Sequence, residues 1–335
     1  MRTWILRLGF AAVLGAAVVL ALAWQWLQSP LALRLRAGEE TLLVVVKPQS
    51  SARQIARDVT QAGVQTPPWL LEAWFRISGQ GRKIQAGTYE LALGSTPRSL
   101  LHKLVTGDQA VTRVSLLEGW TFARMRQAVS QAAHLRADTA TWSEAQLMAA
   151  IGLPNTPAEG QFFPDTYVLA KNSSDVVLWR QAAQAMRQAV ATAWAARNAR
   201  CALQSPEELL ILASVIEKET QHPEDRGLVS AVFNNRLRIG MRLQSDPTII
   251  YGLGEAFDGN LRKRDLTTDG PYNSYTRTGL PPTPIAMPSA ATLLAAAQPA
   301  DSDALYFVGK GGGRSHFSSN LREHNAAVRR YILKR

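Results

Sequence analysis

A long apolar run near the N-terminus constrains the fold of this chain more than any other feature. Residues 8–27 are all apolar or small except Gln25, and about twenty such residues let a helix cross the hydrocarbon core of a bilayer. Trp4 precedes the run, and Trp24 and Trp26 lie at its end, where interfacial aromatic residues are expected. We therefore predict a transmembrane anchor over residues 8–27.

The charges that flank the run predict its orientation. Arg2 and Arg7 precede it, and the arginines that follow it are diluted by neighbouring glutamates. By the positive-inside rule, the N-terminus is expected in the cytoplasm and the remaining chain outside it. The predicted location is therefore the inner membrane, with a single span and with the body of the protein in the periplasm.

A cleavable signal peptide is the competing interpretation of the same run. Ala21-Leu22-Ala23 matches the small-residue pattern of a cleavage site. The run is longer than the apolar region of a usual signal peptide, however, and the bulky Trp24 extends it, which favours a retained anchor. Both interpretations export the body of the protein.

Charge and composition narrow the class of partner. The net charge of +11 comes from scattered basic residues, and the sequence contains no recognition-helix or RNA-binding motif. Anionic lipid headgroups or an acidic polymer such as cell wall are therefore favoured over nucleic acid. The single cysteine, Cys201, excludes an internal disulfide.

Several kinds of catalytic site are absent from the sequence. The five histidines never occur in metal-ligand spacing, and no H-E-x-x-H or G-x-S-x-G motif is present. The glycine-rich stretch at 309–315 lacks the spacing of a phosphate-binding loop. We therefore predict no metal and no cofactor.

Apolar periodicity and helix-capping residues predict an α+β fold. A strand, two helices, a strand and a helix form one small unit of about 70 residues, a size within the range of small domains. The predicted elements of this unit are at 41–47, 51–61, 68–77, 84–93 and 97–105. A linking strand follows at 111–117. Five helices are predicted at 122–133, 143–151, 176–199, 207–220 and 226–238. A hairpin at 304–317 and a final helix at 325–333 end the chain.

Two carboxylates, Glu217 and Glu219, lie in an otherwise apolar helical run. Carboxylic acids are rarely buried without a partner or a task, and an apolar environment raises a carboxyl pKa toward neutrality. Residues two apart on a helix diverge by about 200°, so these two cannot face one another, and periodicity does not choose between them. Surface pairing with Lys218 or Arg226 is an equally open interpretation.

Amides, aromatic rings and prolines surround this helix in the sequence. A turn-rich segment follows it, and a proline-rich stretch at 269–289, called here the proline loop, can form the wall of a groove. Carboxylates in a groove of amides and aromatic rings are typical of enzymes that cleave glycans. A single acid suggests a mechanism that needs no second carboxylate.

Seven motifs resemble one family, the endolytic murein transglycosylases (the MltG or YceG-like family). They occur in the family's order, and with the N-terminal anchor the resemblance extends over nearly the whole chain. They are KIQAGTYEL (83–91), LLEGWT (116–121), EGQFFPDTY (159–167), ASVIEKET (213–220), VFNNRLRIGMRLQSDPTIIYGLG (232–254), PYNSYTRTGLPPTPIAMPS (271–289) and LYFVGKGGGRSHFSSNLREHN (305–325).

The resemblance implies a lyase of the peptidoglycan, with an anchor, a small LysM-like subdomain and a mixed α/β catalytic domain. It would cleave nascent glycan strands internally at the MurNAc–GlcNAc β-1,4 bond, leave 1,6-anhydro-MurNAc ends and so terminate strand elongation, in contact with the inner membrane and with peptidoglycan synthases. The implied divisions are a cytoplasmic N-terminus (1–7), the anchor (8–27), a juxtamembrane linker (28–40), the LysM-like subdomain (41–110) and the catalytic domain (111–335).

The resemblance also implies roles for individual residues. Glu217 falls on the family's catalytic acid, which protonates the leaving oxygen and then accepts a proton from the muramyl C6 hydroxyl, and Glu219 is expected to support it. The expected substrate-binding residues are Asn235, Arg236, Gln244, Asp246, Tyr251, Tyr272, Asn273 and Tyr275. An internal salt bridge between Arg236 and Asp246 is an equally open interpretation of that pair.

Two alternatives and one departure from the family accompany this interpretation. The chain could be a non-catalytic wall-binding scaffold for synthases, or a muramidase that leaves reducing ends. The proline loop differs from the usual family pattern at Thr283, Met287 and Ser289, which leaves its conformation open.

Overall fold

The apolar N-terminal run forms one helix, α1 (Arg2–Gln28), in a computed structural model that describes residues 2–36, 38–220 and 222–333. By length and composition, Phe10–Gln28 could cross a membrane. Large apolar side chains along this segment, such as Leu14 and Leu20, are exposed. An uncovered apolar helix of this length is consistent with single-pass anchoring; its orientation stays a prediction.

The chain divides into two compact units, and the first spans Met1–Thr112 and Val168–Asn172. After α1, this unit contains β1 (Thr41–Val46), α2 (Ala52–Ala62), α3 (Pro68–Ile77), β2 (Gly87–Ala92) and α4 (Pro97–Thr106). The five elements predicted at 41–105 are confirmed in type and order. The second strand begins at Gly87 because a 3₁₀ turn precedes it at Gly81–Lys83.

Strands β1 and β2 pair antiparallel, from Thr41 opposite Ala92 to Val46 opposite Gly87. Alternate residues of β1 face the core of the unit, where they pack against α2 and α3. The predicted helix cap at Ser51 is confirmed, since its hydroxyl accepts the Gln54 N–H. One apolar core therefore holds a strand–helix–helix–strand arrangement together.

Part of the predicted juxtamembrane linker belongs to the core of the first unit. Leu31 is buried, and its N–H donates to Ser95 O at 2.7 Å. The Arg34 N–H donates to Gly63 O at 2.8 Å. Gly63 has a φ of +135°, and a Cβ there would lie 2.8 Å from Arg34 O. The linker thus packs against a position that only glycine can occupy without strain.

The second unit spans Arg113–Tyr167 and Ser173–Arg335 and is mainly helical. The unit boundary falls within two short strands, β3 (Val111–Ser115) and β4 (Thr166–Ala170). The helices and strands that follow β3 in the second unit are α5 (Phe122–Ser130), α6 (Glu144–Ala150), α7 (Asp175–Ala195), α8 (Pro206–Glu219), α9 (Pro223–Arg238), α10 (Asp246–Leu253), α11 (Lys263–Thr267), α12 (Ala290–Ala297), β5 (Tyr306–Gly311), β6 (Arg314–Ser318) and α13 (Leu321–Tyr331).

Helix α8 lies at the centre of the second unit. It contacts α7, α9, α10 and α12, and its residues from Leu209 to Ile216 are buried, with Ile211 partly so. Ser205 begins the helix by accepting the Glu208 N–H, and Thr220 ends it. The helix that carries Glu217 and Glu219 is therefore held on several sides.

All six helices predicted in the second unit are confirmed with small shifts of their ends, and the described residues contain three further α-helices. The last helix begins at Leu321 and not at 325, because the Asn320 side chain accepts the Glu323 N–H and caps it there. Helices α10, α11 and α12 were not predicted: the first two lie in segments rich in turn residues, and α12 is only eight residues long. The overall α+β class is confirmed.

A pair of truncations tests the role of the linker in the first unit. Removal of residues 1–28 should leave a folded, water-soluble chain, whereas removal of residues 1–36 should destabilise the first unit, because burial of one leucine side chain contributes about 1.5–3 kcal/mol. Calorimetry on the two fragments measures this difference. Leu31→Ala in the fragment that lacks residues 1–28 removes only the leucine side chain and should also lower the unfolding temperature. Equal unfolding temperatures in all three proteins would contradict the assignment.

Candidate functional site

The side chain of Glu217 lies half-buried in the last turn of α8 and is held by the end of the proline loop. Its Oε2 accepts a hydrogen bond from Ser289 N at 2.9 Å and another from Ser289 Oγ at 2.8 Å. No described side chain donates to the other oxygen, Oε1. One face of the carboxyl group is therefore held by protein, and the other is available to a ligand.

The proline loop is attached to α8 at two points one helical turn apart. The hydroxyl of Ser214, which is fully buried, accepts the Ile285 N–H at 2.9 Å, and Glu217 accepts the bonds from Ser289. Residues three apart lie on the same face of a helix. This face of α8 therefore positions the loop residues from Ile285 to Ser289.

A third segment, the LLEGWT motif, closes around the same carboxyl group. Gly119 has a φ of +70°, and a Cβ there would lie 3.9 Å from Glu217 Cγ. The Gly119 N–H donates to Met287 O, and the Met287 N–H donates to Trp120 O, both at 2.9 Å. Lys218 Nζ donates to Gly119 O at 3.2 Å. Three motifs that are far apart in the sequence thus meet at Glu217.

Glu219 occupies a different environment on the same helix. Its Oε2 accepts a hydrogen bond from Ser245 Oγ at 2.7 Å. Burial raises the pKa of Glu219 to about 7; the charge of Asp246 raises it further, while Ser245 and Arg236 oppose the shift. Within the described residues, neither glutamate forms a salt bridge with Lys218 or Arg226, so the surface-pairing interpretation is not supported.

Arg236 and Asp246 do not pair with each other among the described residues. The buried Arg236 donates from Nε to Leu305 O at 2.7 Å and from Nη1 to Leu243 O at 2.6 Å. Asp246 accepts a hydrogen bond from the Tyr275 hydroxyl at 2.6 Å. The guanidinium therefore holds two backbone segments through their carbonyls, and the proposed internal salt bridge is absent.

Two of the predicted sugar-binding amides are used inside the fold. Asn235 is buried, and its Nδ2 donates to Ser302 O and Ala304 O at 2.8 and 3.0 Å. Asn273 is also buried; its Nδ2 donates to Thr268 O at 2.7 Å, and its Oδ1 accepts the Tyr275 N–H at 2.9 Å. Both amides hold loops in place.

The other predicted contacts are at least partly exposed. Gln244 is exposed on a backbone with φ of +51°, immediately before Ser245. Tyr272 and Tyr251 are half-buried, with their rings edge-to-face at a centroid distance of 4.9 Å. The Tyr272 hydroxyl lies 2.7 Å from Thr283 Oγ1. Of these three side chains, the Gln244 amide is exposed, and both tyrosines are partly accessible to solvent.

Glu159 is a buried acid that the sequence analysis did not single out. Its carboxyl group, 8% exposed, accepts the Phe122 N–H at 3.1 Å and the Tyr251 hydroxyl at 3.3 Å. Burial raises the pKa of Glu159 to about 7, against the opposing effect of these two donors. The only signal in the sequence was an acidic residue directly before a glycine, Gly160. In the structure this glycine has a φ of +82°.

Ser289 and Ser245 were also missed as partners of the two glutamates. Ser289 directly follows Pro288, and Ser245 lies two residues before Pro247; this pattern predicts a loop but does not indicate what the hydroxyl contacts. Each hydroxyl reaches its glutamate only through the packing of distant segments. Among the described residues there is no cluster of acidic, histidine or cysteine side chains that could hold a metal.

Comparison with known proteins decides the family. The sequence model of the YceG-like family matches residues 44–330. The chain belongs to the YceG-like family. The resemblance drawn from the motifs is therefore confirmed.

Two relatives of this chain have the same name, endolytic murein transglycosylase. The endolytic murein transglycosylase of Bacillus subtilis strain 168 is 32% identical over 272 residues, which cover 74% of this chain and 73% of that protein. The endolytic murein transglycosylase of Streptococcus pneumoniae strain D39 is 25% identical over 316 residues, 84% of this chain and 57% of that protein. The prediction that the chain is an enzyme is confirmed.

A solved structure shares the fold. The crystal structure of a YceG-like protein from Listeria monocytogenes aligns with a TM-score of 0.54 and 26% identity. The alignment covers 87% of this chain and all of the Listeria chain.

The raised pKa of Glu159 predicts how stability depends on pH. The unfolded acid ionises near 4.5, whereas the folded acid keeps its proton to about 7. Through Glu159, the free energy of unfolding should therefore fall by about 3 kcal/mol as the pH rises from 4.5 to 7. Denaturation at several pH values measures the total loss; Glu159→Gln should remove the part that belongs to Glu159 and leave the part that belongs to Glu219, whose pKa is also raised to about 7.

Glu207→Gln is the matched control, because Glu207 is exposed in the first turn of α8, so the change removes one carboxyl charge and leaves the hydrogen bonds of Glu159 in place. If the Glu159→Gln protein lost as much stability between pH 4.5 and 7 as the unmodified protein, the raised pKa would be refuted.

Proposed function

We propose that this protein is an endolytic lytic transglycosylase of the peptidoglycan, with Glu217 as its single catalytic acid and base. The observation that supports this most is the state of the Glu217 carboxyl group, held through Oε2 by Ser289 and open at Oε1 where three family motifs meet. Relatives of the chain are named endolytic murein transglycosylases.

The proposed reaction proceeds with one carboxyl group. Glu217 donates its proton to the glycosidic oxygen between MurNAc and GlcNAc, and the bond from muramyl C1 to that oxygen breaks. The resulting carboxylate then takes the proton of the muramyl C6 hydroxyl, whose oxygen attacks C1. The product ends in 1,6-anhydro-MurNAc, no water is consumed, and Glu217 returns to its protonated form.

The surroundings of Glu219 suit a supporting role. The hydroxyl of Ser245 donates to Glu219, and Ser245 stands between the exposed Gln244 and the first residue of α10. A protonated or weakly ionised acid in this position satisfies the buried hydroxyl without a full buried charge. Glu219 would therefore hold the turn that presents Gln244 to the glycan.

The glycan contacts that we propose are the exposed or half-exposed groups of the second unit. Gln244 offers an amide to sugar hydroxyls, and Tyr272 and Tyr251 offer ring faces. Asn235, Arg236 and Asn273 act indirectly, because their side chains donate hydrogen bonds to backbone carbonyls and hold these loops in place. Asp246 and Tyr275 pair with one another and complete the wall of the groove.

We also propose that the first unit, residues 41–110 above all, is LysM-like and binds glycan beside the membrane, while residues 111–335 carry out cleavage. The support is its strand–helix–helix–strand order and an open groove of about 770 Å³, lined among others by Ser50, Arg76 and Arg82. Tethering a bound strand to an anchored enzyme raises its effective concentration. The α1 anchor, with the body in the periplasm, would keep the enzyme close to nascent strands and their synthases.

Two conservative variants test the assignment of the acid. Glu217→Gln should reduce cleavage by about 10²-fold or more, because the amide keeps the shape of the side chain but cannot transfer a proton. Glu219→Gln should retain most activity. Incubation with sacculi, followed by mass spectrometry of the muropeptides for anhydro ends, measures both.

The same digest separates the alternatives. Reducing ends in place of anhydro ends would identify a muramidase, and no cleavage by the unmodified protein would identify a scaffold. An active Glu217→Gln protein beside an inactive Glu219→Gln protein would reverse the assignment of the acid.

A blocked groove tests the role of the first unit. Ser50→Trp should fill part of the groove and lower activity on long strands several-fold, without changing the anhydro product, because tethering contributes only through effective concentration. Gln61→Trp places the same ring on an exposed position of α2 outside the groove and serves as the control. Equal rates for the two variants on long strands would refute glycan binding by this groove.

A further inference from the structure

We propose that Ser289 is a positioning residue that determines which oxygen of Glu217 carries the catalytic proton. This inference rests on the proposed role of Glu217 as the acid. It concerns the serine at the junction of the proline loop and α12.

Ser289 contributes two donors to one oxygen. Its side chain is 2% exposed, and its N–H and its hydroxyl end on Glu217 Oε2 at 2.9 and 2.8 Å. A carboxylate oxygen has about two lone-pair directions for hydrogen bonds. With both directions of Oε2 occupied by donors, the proton of the acid form has to lie on Oε1, the oxygen that is open to substrate.

A neighbouring threonine fixes the direction of the serine hydroxyl. Ser289 Oγ lies 2.9 Å from Thr292 Oγ1, and it accepts the Thr292 N–H at 3.2 Å. A hydroxyl has one proton to donate. Because that proton goes to Glu217, Thr292 must be the donor in the hydroxyl pair. The two fully buried hydroxyl groups thus form a directed chain from Thr292 through Ser289 to Glu217.

The position of Ser289 at a helix terminus adds to this effect. It is the N-cap of α12, so the positive end of that helix points toward the carboxyl oxygen. Helix α12 packs against α8 through buried residues such as Leu293. Ser289 and Glu217 are therefore held by two packed helices and keep their geometry when the charge on Glu217 changes.

This arrangement has a consequence for both proposed steps. In the first step the proton leaves from Oε1, where the glycosidic oxygen can reach it. After the transfer, two hydrogen bonds stabilise the new carboxylate, and bonds to a charged group are the stronger kind. Loss of the Ser289 hydroxyl should therefore slow the chemical step and leave glycan binding unchanged.

Ser289→Gly separates this role from helix capping. Glycine keeps the N–H that binds Glu217 and caps a helix nearly as well as serine, but it lacks the hydroxyl. We expect kcat to fall about ten-fold, the effect of losing one hydrogen bond to a charged group, with KM unchanged. Ser289→Thr, which restores a hydroxyl, should recover most of the lost rate.

Ser205→Gly is the matched control, measured on the full-length protein in detergent with the same purified glycan strands. Ser205 caps α8, the helix that carries Glu217, but its hydroxyl accepts the Glu208 N–H at 3.2 Å and does not reach the acid. This variant should keep the kcat of the unmodified protein. Melting temperatures of all the variants show whether each one is folded.

The possible outcomes separate this inference from the proposed function. Unchanged kcat in Ser289→Gly, an equal loss in Ser205→Gly, or no recovery in Ser289→Thr would overturn the role of Ser289 even if Glu217→Gln is inactive. An active Glu217→Gln protein would overturn the proposed acid itself, and with it this inference.

Discussion

The burial of α8 is the constraint on which the second unit depends. Four helices pack around it, and its residues from Leu209 to Ile216 are buried except for the partly exposed Ile211. Each large apolar side chain buried there contributes about 1.5–3 kcal/mol, so the helix cannot shift or rotate without a large loss of stability. The C-terminal half of α8 is therefore held rigidly. From it, Ser214 and Glu217 accept hydrogen bonds that fix the end of the proline loop and the start of α12.

Buried polar side chains build the irregular part of the site. Loops expose backbone carbonyls, and an unsatisfied buried polar group costs about 1–3 kcal/mol. Asn235 and Arg236 supply the missing donors to carbonyl groups far away in the sequence, and Asn273 supplies one to a carbonyl of its own loop. Polar residues of segment 232–254 thus divide into those that hold loops, such as Asn235 and Arg236, and those that stay exposed, such as Gln244. Burial decides the division, since both kinds have the same chemistry.

Two acids with a pKa near 7 stabilise opposite parts of α10. Glu219 accepts from Ser245, which directly precedes the helix, and Glu159 accepts from Tyr251 in its middle. Both carboxyl groups are shifted mainly by burial. Glu217 differs from them because its partner, Ser289, provides two donors to a single oxygen. The three glutamates therefore share a residue type but have distinct environments, and Glu217 is the one that receives two donors from a single residue, Ser289.

The sequence by itself determined the elements that depend on local patterns and the family. The apolar run of α1, the cap at Ser51 and the order of the first unit follow from periodicity and capping, which act over a few residues. The motifs also indicated Glu217, although periodicity could not choose it over Glu219. Only the tertiary structure decided what each carboxyl group contacts. Ser289 lies 72 residues after Glu217, and the two meet because α12 packs on α8, a contact between distant segments that no local pattern of residues encodes.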